Sequence, residues 1–399
     1  MDSLFNSYLQ IIKDACTDSN TSSSFSEDTF SGLFSIAQKQ KTLPFLLPYA
    51  ENSHYFTEIK RQAKSMMLNY YQLEQFARYV ITLFQENNIS CILLKGISLA
   101  ACYPVPEYRK LGDLDLLLTD PQTLQCTKKL LIQHGFREDD EISDHHATFI
   151  YTYPQSGRTC ILELHYRIVG LYQYAKANQI VDSVFSASRL QIDCQTINGV
   201  SYPVLPPTEY TFYLLHHMLK HYLYSGFGIR LMCDFMLYIM RHQTEIDCSQ
   251  LHHWCMKSKI FHFYEIVVES CRTYLGLSQS FDSNIHYDLH SCELFMDQIL
   301  SGEDMGNNDG TKLVGSGSYR HIGLSACLKE GHLQMQVRFP KLSKYFILWP
   351  FLWICTFFCF LKNTYTRRNT TLFQTLKDFK SDNQKSQLLH IFDNSERQK

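Results

Sequence analysis

Asp113 and Asp115 stand two residues apart in the run "GDLDLLL". In an extended strand such positions share a face, so the two aspartates project together while Leu114 and Leu116 point the other way. Leu117, next along the aspartates' face, is apolar, which sets the pair where a buried surface opens into a cleft. Two carboxylates about 4 Å apart repel by roughly 4 kcal/mol at an effective dielectric near 20. A shared divalent cation turns that repulsion into attraction, and hard oxygen ligands suit Mg²⁺. The bland alternative is a strand end with both carboxylates facing water.

A third carboxylate tips the choice. The run "ILELH" places Glu163 and His165 on one face of an apolar strand, with Leu162 and Leu164 on the other. A glutamate in mid-strand is rarely buried without a partner. Two carboxylates from one strand and one from a later strand are what a two-metal phosphoryl-transfer site needs.

Other residues can serve such a site. Lys95-Gly96 follows the apolar run "CILL" and begins a helix-like piece. Backbone N–H groups at a helix start attract phosphate, and glycine allows close approach; the alternative is an ordinary strand-to-helix turn. Arg109, four residues before Asp113, is placed either to reach a phosphate or to pair with a carboxylate. His165 is placed to contact a phosphate, to orient a carboxylate or to accept a proton, against the simpler role of a core histidine. In "TEYTFYLLHHMLKHYL", His217 and His221 share a helix face, as do His216 and Lys220. That pattern fits a basic patch over a polyphosphate better than zinc, for which a third ligand at the usual spacing is missing. Arg230 and Asp234, four apart, read as an intrahelical pair.

The elements that must position these groups are legible in outline. Residues 1–15 and 29–47 have helix-like apolar spacing, and a long helix is expected over 55–88, where Met66, Tyr70, Leu73, Phe76, Val80, Leu83 and Phe84 recur at steps of three or four. "CILLK" reads as a short buried strand. Residues 120–135 read as a helix with Asp120 as N-cap, Pro121 at the first position and Gly135 as the stop. "TFIYTY" and "RTCILELHYRI", separated by "PQSG", read as a hairpin, and Asn198-Gly199 marks a second one. From Pro206 to about residue 300 the pattern is helical.

The 399 residues carry a net charge of −2 with 19% charged and 45% hydrophobic residues. A disordered chain is excluded, and there is no global attraction for nucleic acid or anionic lipid. No basic stripe interleaved with aromatics points to RNA. The 14 cysteines never form a Cys-x-x-Cys pair and often lie in apolar runs, as reduced core cysteines do. The first twenty residues lack a basic start followed by an apolar stretch. Both observations point to the cytoplasm.

The order Lys-Gly, Asp-x-Asp and a lone later Glu resembles the polymerase-β-like nucleotidyltransferase superfamily. More narrowly, the chain resembles an uncharacterised nucleotidyltransferase family, through Leu93-Leu94-Lys95-Gly96, Tyr103, Arg109, Asp113 to Leu118, "LELH" at 162–165, "LLHHMLKH" at 214–221, Arg230 and Asp234. The likeness covers roughly residues 60–240, and more loosely "RFPKL" at 338–342. It implies an α+β protein: a small mixed-sheet catalytic core over 61–205, an N-terminal helical region over 1–60 and a C-terminal helical domain over 206–300. A glycine-rich linker over 301–335, an apolar segment over 336–362 and a polar tail over 363–399 complete the expected layout.

The resemblance further implies transfer of a nucleoside monophosphate from an NTP, ATP among them, to an acceptor, with release of pyrophosphate. Asp113, Asp115 and Glu163 would hold two Mg²⁺ ions, with Mn²⁺ as a substitute. Lys95, Gly96, Ser98, Arg109, His165, His217, Lys220 and His221 would bind the nucleotide and its phosphates. The acceptor stays open among a small molecule, a sugar, a protein and RNA. One departure stands out: the superfamily commonly has Gly-Ser or Gly-Gly at the phosphate-holding turn, and this chain has Gly96-Ile97-Ser98.

Two other functions compete: a non-catalytic regulator that binds nucleotide or a partner protein, and a membrane-associated factor in envelope or polysaccharide assembly. For the latter only "YFILWPFLWICTFFCFL" (345–361) speaks, flanked by Lys341, Lys344, Lys362, Arg367 and Arg368. As a helix it would span about 25 Å, at the lower limit for crossing a bilayer. Burial or peripheral membrane attachment is the expectation.

Overall fold

The computed structural model describes residues 3–19, 24–140, 143–172, 174–224, 226–302 and 324–366. Two amphipathic helices open the chain, α1 (Ser3–Thr17) and α2 (Glu27–Lys39), followed by a 3-10 stretch over Leu43–Tyr49 and the long α3 (Phe56–Glu86). Strand β1 (Cys91–Leu93), the single turn α4 (Ile97–Ala100) and β2 (Leu114–Leu118) come next. Then follow α5 (Leu124–Gln133), β3 (Arg137–Glu138), β4 (His146–Thr152) and β5 (Thr159–His165).

These five strands form one mixed sheet in the order β1-β2-β5-β4-β3. β2 and β5 run parallel and every other pair is antiparallel. The mixed α+β fold expected from the sequence is present. The register sets Asp115 directly across from Glu163 and Leu117 across from His165.

The period of two in β2 sorts its side chains between two cores. Leu114, Leu116 and Leu118 join Phe76, Val80 and Phe84 of α3, while Leu117 on the opposite face joins the helical side of the molecule. Asp115 shares the Leu117 face, so the acidic groups look away from α3 and toward the helices that follow.

Those helices begin after α6 (Ala175–Val184) and a small hairpin, β6 (Asp193–Ile197) and β7 (Val200–Val204). Asn198 and Gly199 both take positive φ, +47° and +76°, as a primed two-residue turn requires. Helices α7 (Pro207–Tyr224), α8 (Ile229–His242), α9 (Cys248–Ser258), α10 (Phe261–Ser270) and α11 (Leu289–Ser301) then share one hydrophobic core with α1 and α2. The N-terminal helices therefore pack with the 206–300 helices rather than as a separate layer.

Three sequence expectations are corrected here. The helix expected over 120–135 starts later, because Asp120 caps a 3-10 turn at Pro121–Thr123 and α5 begins at Leu124. Part of the expected linker over 301–335 is helical: α12 (Leu324–Arg338) is followed by α13 (Trp349–Thr366), which absorbs the start of the expected tail. The glycine-rich residues 303–323 and the tail residues 367–399 lie outside the described residues.

The third correction concerns the apolar segment. It is not buried: Phe346, Ile347, Phe351 and Phe358 are each more than 60% exposed. Only one side of α13 is covered, where Leu352 and Thr356 are buried and His332 of α12 meets Trp349 and Trp353. No helix among the described residues is long and apolar enough to cross a membrane. The eleven cysteines from Cys16 to Cys292, with Cys355 and Cys359, carry free thiols.

Candidate active site

The sheet face that carries Asp115 and Glu163 forms one wall of a cleft of about 730 Å³, and α7 and α8 form the other. That volume lies within the roughly 300–1,000 Å³ typical of small-molecule sites. Asp113, Asp115, Glu163 and His165 all line it.

Asp115 is the most enclosed of the acidic groups, 1% exposed. Its Oδ1 accepts from Lys95 Nζ at 3.0 Å and lies 3.2 Å from His165 Nε2. Its Oδ2 is buried with no hydrogen-bond partner. An orphaned carboxylate oxygen is costly unless a ligand or ion satisfies it. Glu163 lies 3.5 Å from His165 Nε2 and 3.9 Å from His146 Nε2. Asp115, Glu163 and His165 each offer a ligand atom within 4.8 Å of the other two. The donor set fits a divalent cation: two hard carboxylates from neighbouring strands, one with an unfilled oxygen.

The charges in this group are tightly balanced. Burial opposes the Lys95 charge, but Asp115 and then Asp113 outweigh it and hold its pKa well above the usual value. Burial likewise opposes the His165 charge, yet its hydrogen bonds to Asp115 and Glu163 raise it to about 9. Glu163 goes the other way: burial would raise it, but the His165 hydrogen bond and the Lys95 charge bring it down to about 2. Lys95 and His165 thus neutralise the carboxylates that a metal would otherwise bridge.

Several residues proposed from the sequence sit differently from expectation. Of the two roles open to Arg109, the structure shows carboxylate pairing. Its Nε and Nη2 donate to Asp234 Oδ1 and Oδ2 at 2.7 Å each, and Nη1 donates to Gly96 O at 3.3 Å. Asp234 is therefore held by Arg109 and by Tyr103 Oη at 2.7 Å, with Arg230 farther off at 3.9 Å, not by a simple intrahelical pair. Ser98 is turned into the core, where its hydroxyl meets Tyr210 Oη at 2.9 Å. The helix that starts at Gly96 is a single turn, too short for a useful dipole. What the turn requires of Gly96 is its backbone, at φ +74° and ψ −114°.

The helix histidines divide as well. His217 and His221 line the cleft, but burial and the Lys95 charge push both far down, His221 to about 3. The direction of both shifts favours the neutral imidazole, which weighs against a basic patch at these two positions. His216 is buried against Tyr172 Oη at 2.8 Å. Lys220 lines the cleft while donating to Leu171 O at 2.5 Å.

Sequence reasoning missed Asp144, His145, His146 and Tyr213, all of which line the cleft. Tyr213 Oη is buried without a hydrogen-bond partner. The signal for the histidines was "SDHHATF" at the head of a strand that pairs with "LELH"; their convergence follows only from the register. Leu333 and Gln334 of α12 also reach the cleft, which no local pattern indicates.

Acidic residues presented into a cleft by neighbouring strands of a mixed sheet are the arrangement that the sequence resemblance implied. A family model described as "uncharacterised nucleotidyltransferase" matches residues 33–276, more than half of the chain. The chain belongs to this family, which supports a transferase acting on a nucleotide. A crystal structure of an antigenic nucleotidyltransferase-like protein from Paracoccidioides brasiliensis is 15% identical over 51% of this chain and 94% of that one, with a TM-score of 0.32. No curated protein matches the chain.

Proposed function

We propose that the protein transfers a nucleoside monophosphate from an NTP to an acceptor hydroxyl and releases pyrophosphate. The observation that carries this reading is the pairing of Asp115 with Glu163 on adjacent parallel strands, with Asp115 Oδ2 buried and unpartnered. Asp113, Asp115 and Glu163 would hold Mg²⁺, two ions in the full site or Mn²⁺ in their place, which would neutralise charge on the polyphosphate and align the attacking oxygen.

In the reaction an acceptor oxygen bonds to the α-phosphorus, and the bond from that phosphorus to the bridging oxygen breaks. Pyrophosphate leaves with the electron pair. Glu163 would hold charge at the metal and orient the acceptor hydroxyl, whose proton is released in the step. Lys95 answers Asp115 without a ligand, and it is positioned to exchange that carboxylate for a phosphate oxygen. Tyr213 offers an unused hydroxyl to the same substrate. Arg109 acts through Gly96 and is a positioning residue.

The experiment is to incubate the protein with each α-labelled NTP, Mg²⁺ and a cell extract, and to identify the labelled molecule. Asp113→Asn should abolish labelling with an unchanged circular-dichroism spectrum. Labelling that survives in both Asp113→Asn and Asp115→Asn defeats the reading. NTP binding that is indifferent to Mg²⁺, without turnover, would favour the regulatory alternative.

The exposed apolar side chains between Tyr345 and Phe358 favour a second feature, attachment at a bilayer surface. Its Tyr and Trp residues suit the interface, and Lys341 and Lys344 beside it suit anionic headgroups. Sedimentation with anionic vesicles should depend on residues 345–361. Equal sedimentation of a chain lacking them would remove the feature.

A further inference from the structure

A second group of side chains in the cleft meets the acidic site at His165. His145 and His146 are adjacent, and the β4–β5 register sets His146 directly across from His165. One nitrogen from each of the three lies within 4.8 Å of the other two. Neighbours along a strand normally face opposite sides. His145 escapes that rule because it precedes β4, in a loop where Ser143 Oγ lies 3.0 Å from His145 Nδ1 and 3.2 Å from His146 Nδ1.

The loop also orients His145. Asp144 Oδ1 is 2.7 Å from His145 Nδ1, and Asp144 Oδ2 accepts from the Leu171 N–H at 2.6 Å. Holding Nδ1 on a fixed carboxylate leaves Nε2 as the nitrogen to ligate, the support that metal-binding histidines ordinarily have. That Nε2 lies 3.1 Å from His146 Nδ1. Two imidazoles can satisfy one another through a single shared proton, so the pair alone would be packing. His165 decides the matter: it is 4% exposed, its Nε2 faces Asp115 and Glu163, and its Nδ1 is buried with no hydrogen-bond partner, where a metal ion would take the place of the proton.

We propose that His145, His146 and His165, with Asp144 behind His145, form a nitrogen-rich site for a borderline divalent transition metal ion, Zn²⁺ in the first place. Three imidazoles suit zinc, cobalt or nickel and do not suit Mg²⁺, which prefers oxygen. Three protein ligands also leave an open position, as reactive rather than purely structural zinc sites do. The inference goes beyond nucleotidyl transfer; it shares His165 with the acidic site, and its test reads metal binding without any NTP.

The test uses the full chain, stripped of metal by chelation and titrated with Co²⁺ in excess Mg²⁺. One Co²⁺ per chain should bind with the visible bands of a four- or five-coordinate site, and Zn²⁺ should displace it. X-ray absorption on the unmodified zinc-loaded protein should show scattering from three imidazoles, a readout that needs no variant to fold. His146→Gln should weaken Co²⁺ at least tenfold and Asp144→Asn roughly ten- to a hundredfold; Asp113→Asn should leave it unchanged. An oxygen-only shell, displacement of Co²⁺ by Mg²⁺, loss of the site in Asp113→Asn, or the absence of binding would each overturn the proposal.

Discussion

Replacing Asp234 by Asn removes the charge that answers a buried arginine, and the consequence can be worked from the structure. The two side chains are 3% and 1% exposed. The guanidinium makes two 2.7 Å bonds to the carboxylate, and Tyr103 adds a third to the same group. Breaking a buried pair by removing one partner destabilises by about 3–5 kcal/mol, because the remaining charge has no compensation. Arg230, 3.9 Å from the carboxylate, adds a second cation that worsens the imbalance. At roughly 2–4 °C per kcal/mol for a unit of this size, Tm should fall by on the order of 10 °C.

The assay is thermal and urea unfolding of Asp234→Asn, Arg109→Met and the double variant Arg109→Met/Asp234→Leu. The double variant should lose less than the sum of the singles by at least about 2 kcal/mol, since replacing both charges by apolar groups avoids the orphan. All three should also weaken NTP binding, because Arg109 Nη1 holds the Gly96 carbonyl. Additive losses, or a single-variant loss under about 1 kcal/mol, would refute the reasoning.

The remaining predictions are these. His216 is fully buried, and burial first, then the Arg167 charge, lowers it to about 3. The unfolded chain therefore takes up a proton between about pH 6.5 and 3 that the folded chain refuses. Stability from this group is full above pH 6.5 and falls as the pH drops toward 3. Urea titrations should show His216→Gln losing less stability than wild type between pH 7 and pH 4, and parallel curves would contradict the assignment. Gly96→Ala should destabilise by about 1–3 kcal/mol in the same titrations. An added Cβ would meet Asp113 O only at 3.7 Å, so the penalty would come from the backbone at φ +74°, and a neutral substitution would show that the turn can relax. Tyr213→Phe should raise KM for the NTP severalfold with little change in kcat, and an unchanged KM would remove that hydroxyl from the substrate.

Much of the positioning frame was legible because it rests on local rules. The Leu114, Leu116, Leu118 alternation and the mid-strand Glu163 announced which face would be polar, and Asn198-Gly199 announced its hairpin. Nothing local tells that β2 and β5 run parallel in a register that sets Asp115 beside Glu163; the resemblance supplied only the expectation that the carboxylates of the two strands converge. Long-range pairing also hid the roles of Arg109 and Asp234, which are 125 residues apart. Their spacing to nearer partners suggested a phosphate contact or an intrahelical pair. His217 and His221 looked basic because side-chain type is visible in a sequence and the nearby Lys95 charge is not. His145 and His146 went unread because adjacent residues on a strand should diverge, and the loop that brings both into the cleft has no sequence signature. The 345–361 run was read correctly as apolar, but no pattern could say that only one of its sides is covered.

The central claim is that the Asp115–Glu163 pair binds an NTP through divalent cations. Its most direct test is calorimetric titration of each NTP into metal-free protein, with Mg²⁺ and then with EDTA, for wild type and Asp115→Asn. At least one NTP should bind wild type with Mg²⁺ and lose tenfold or more in EDTA, and Asp115→Asn should bind no better with Mg²⁺ than without. Identical affinity in all four conditions, or no binding of any NTP, would contradict the account.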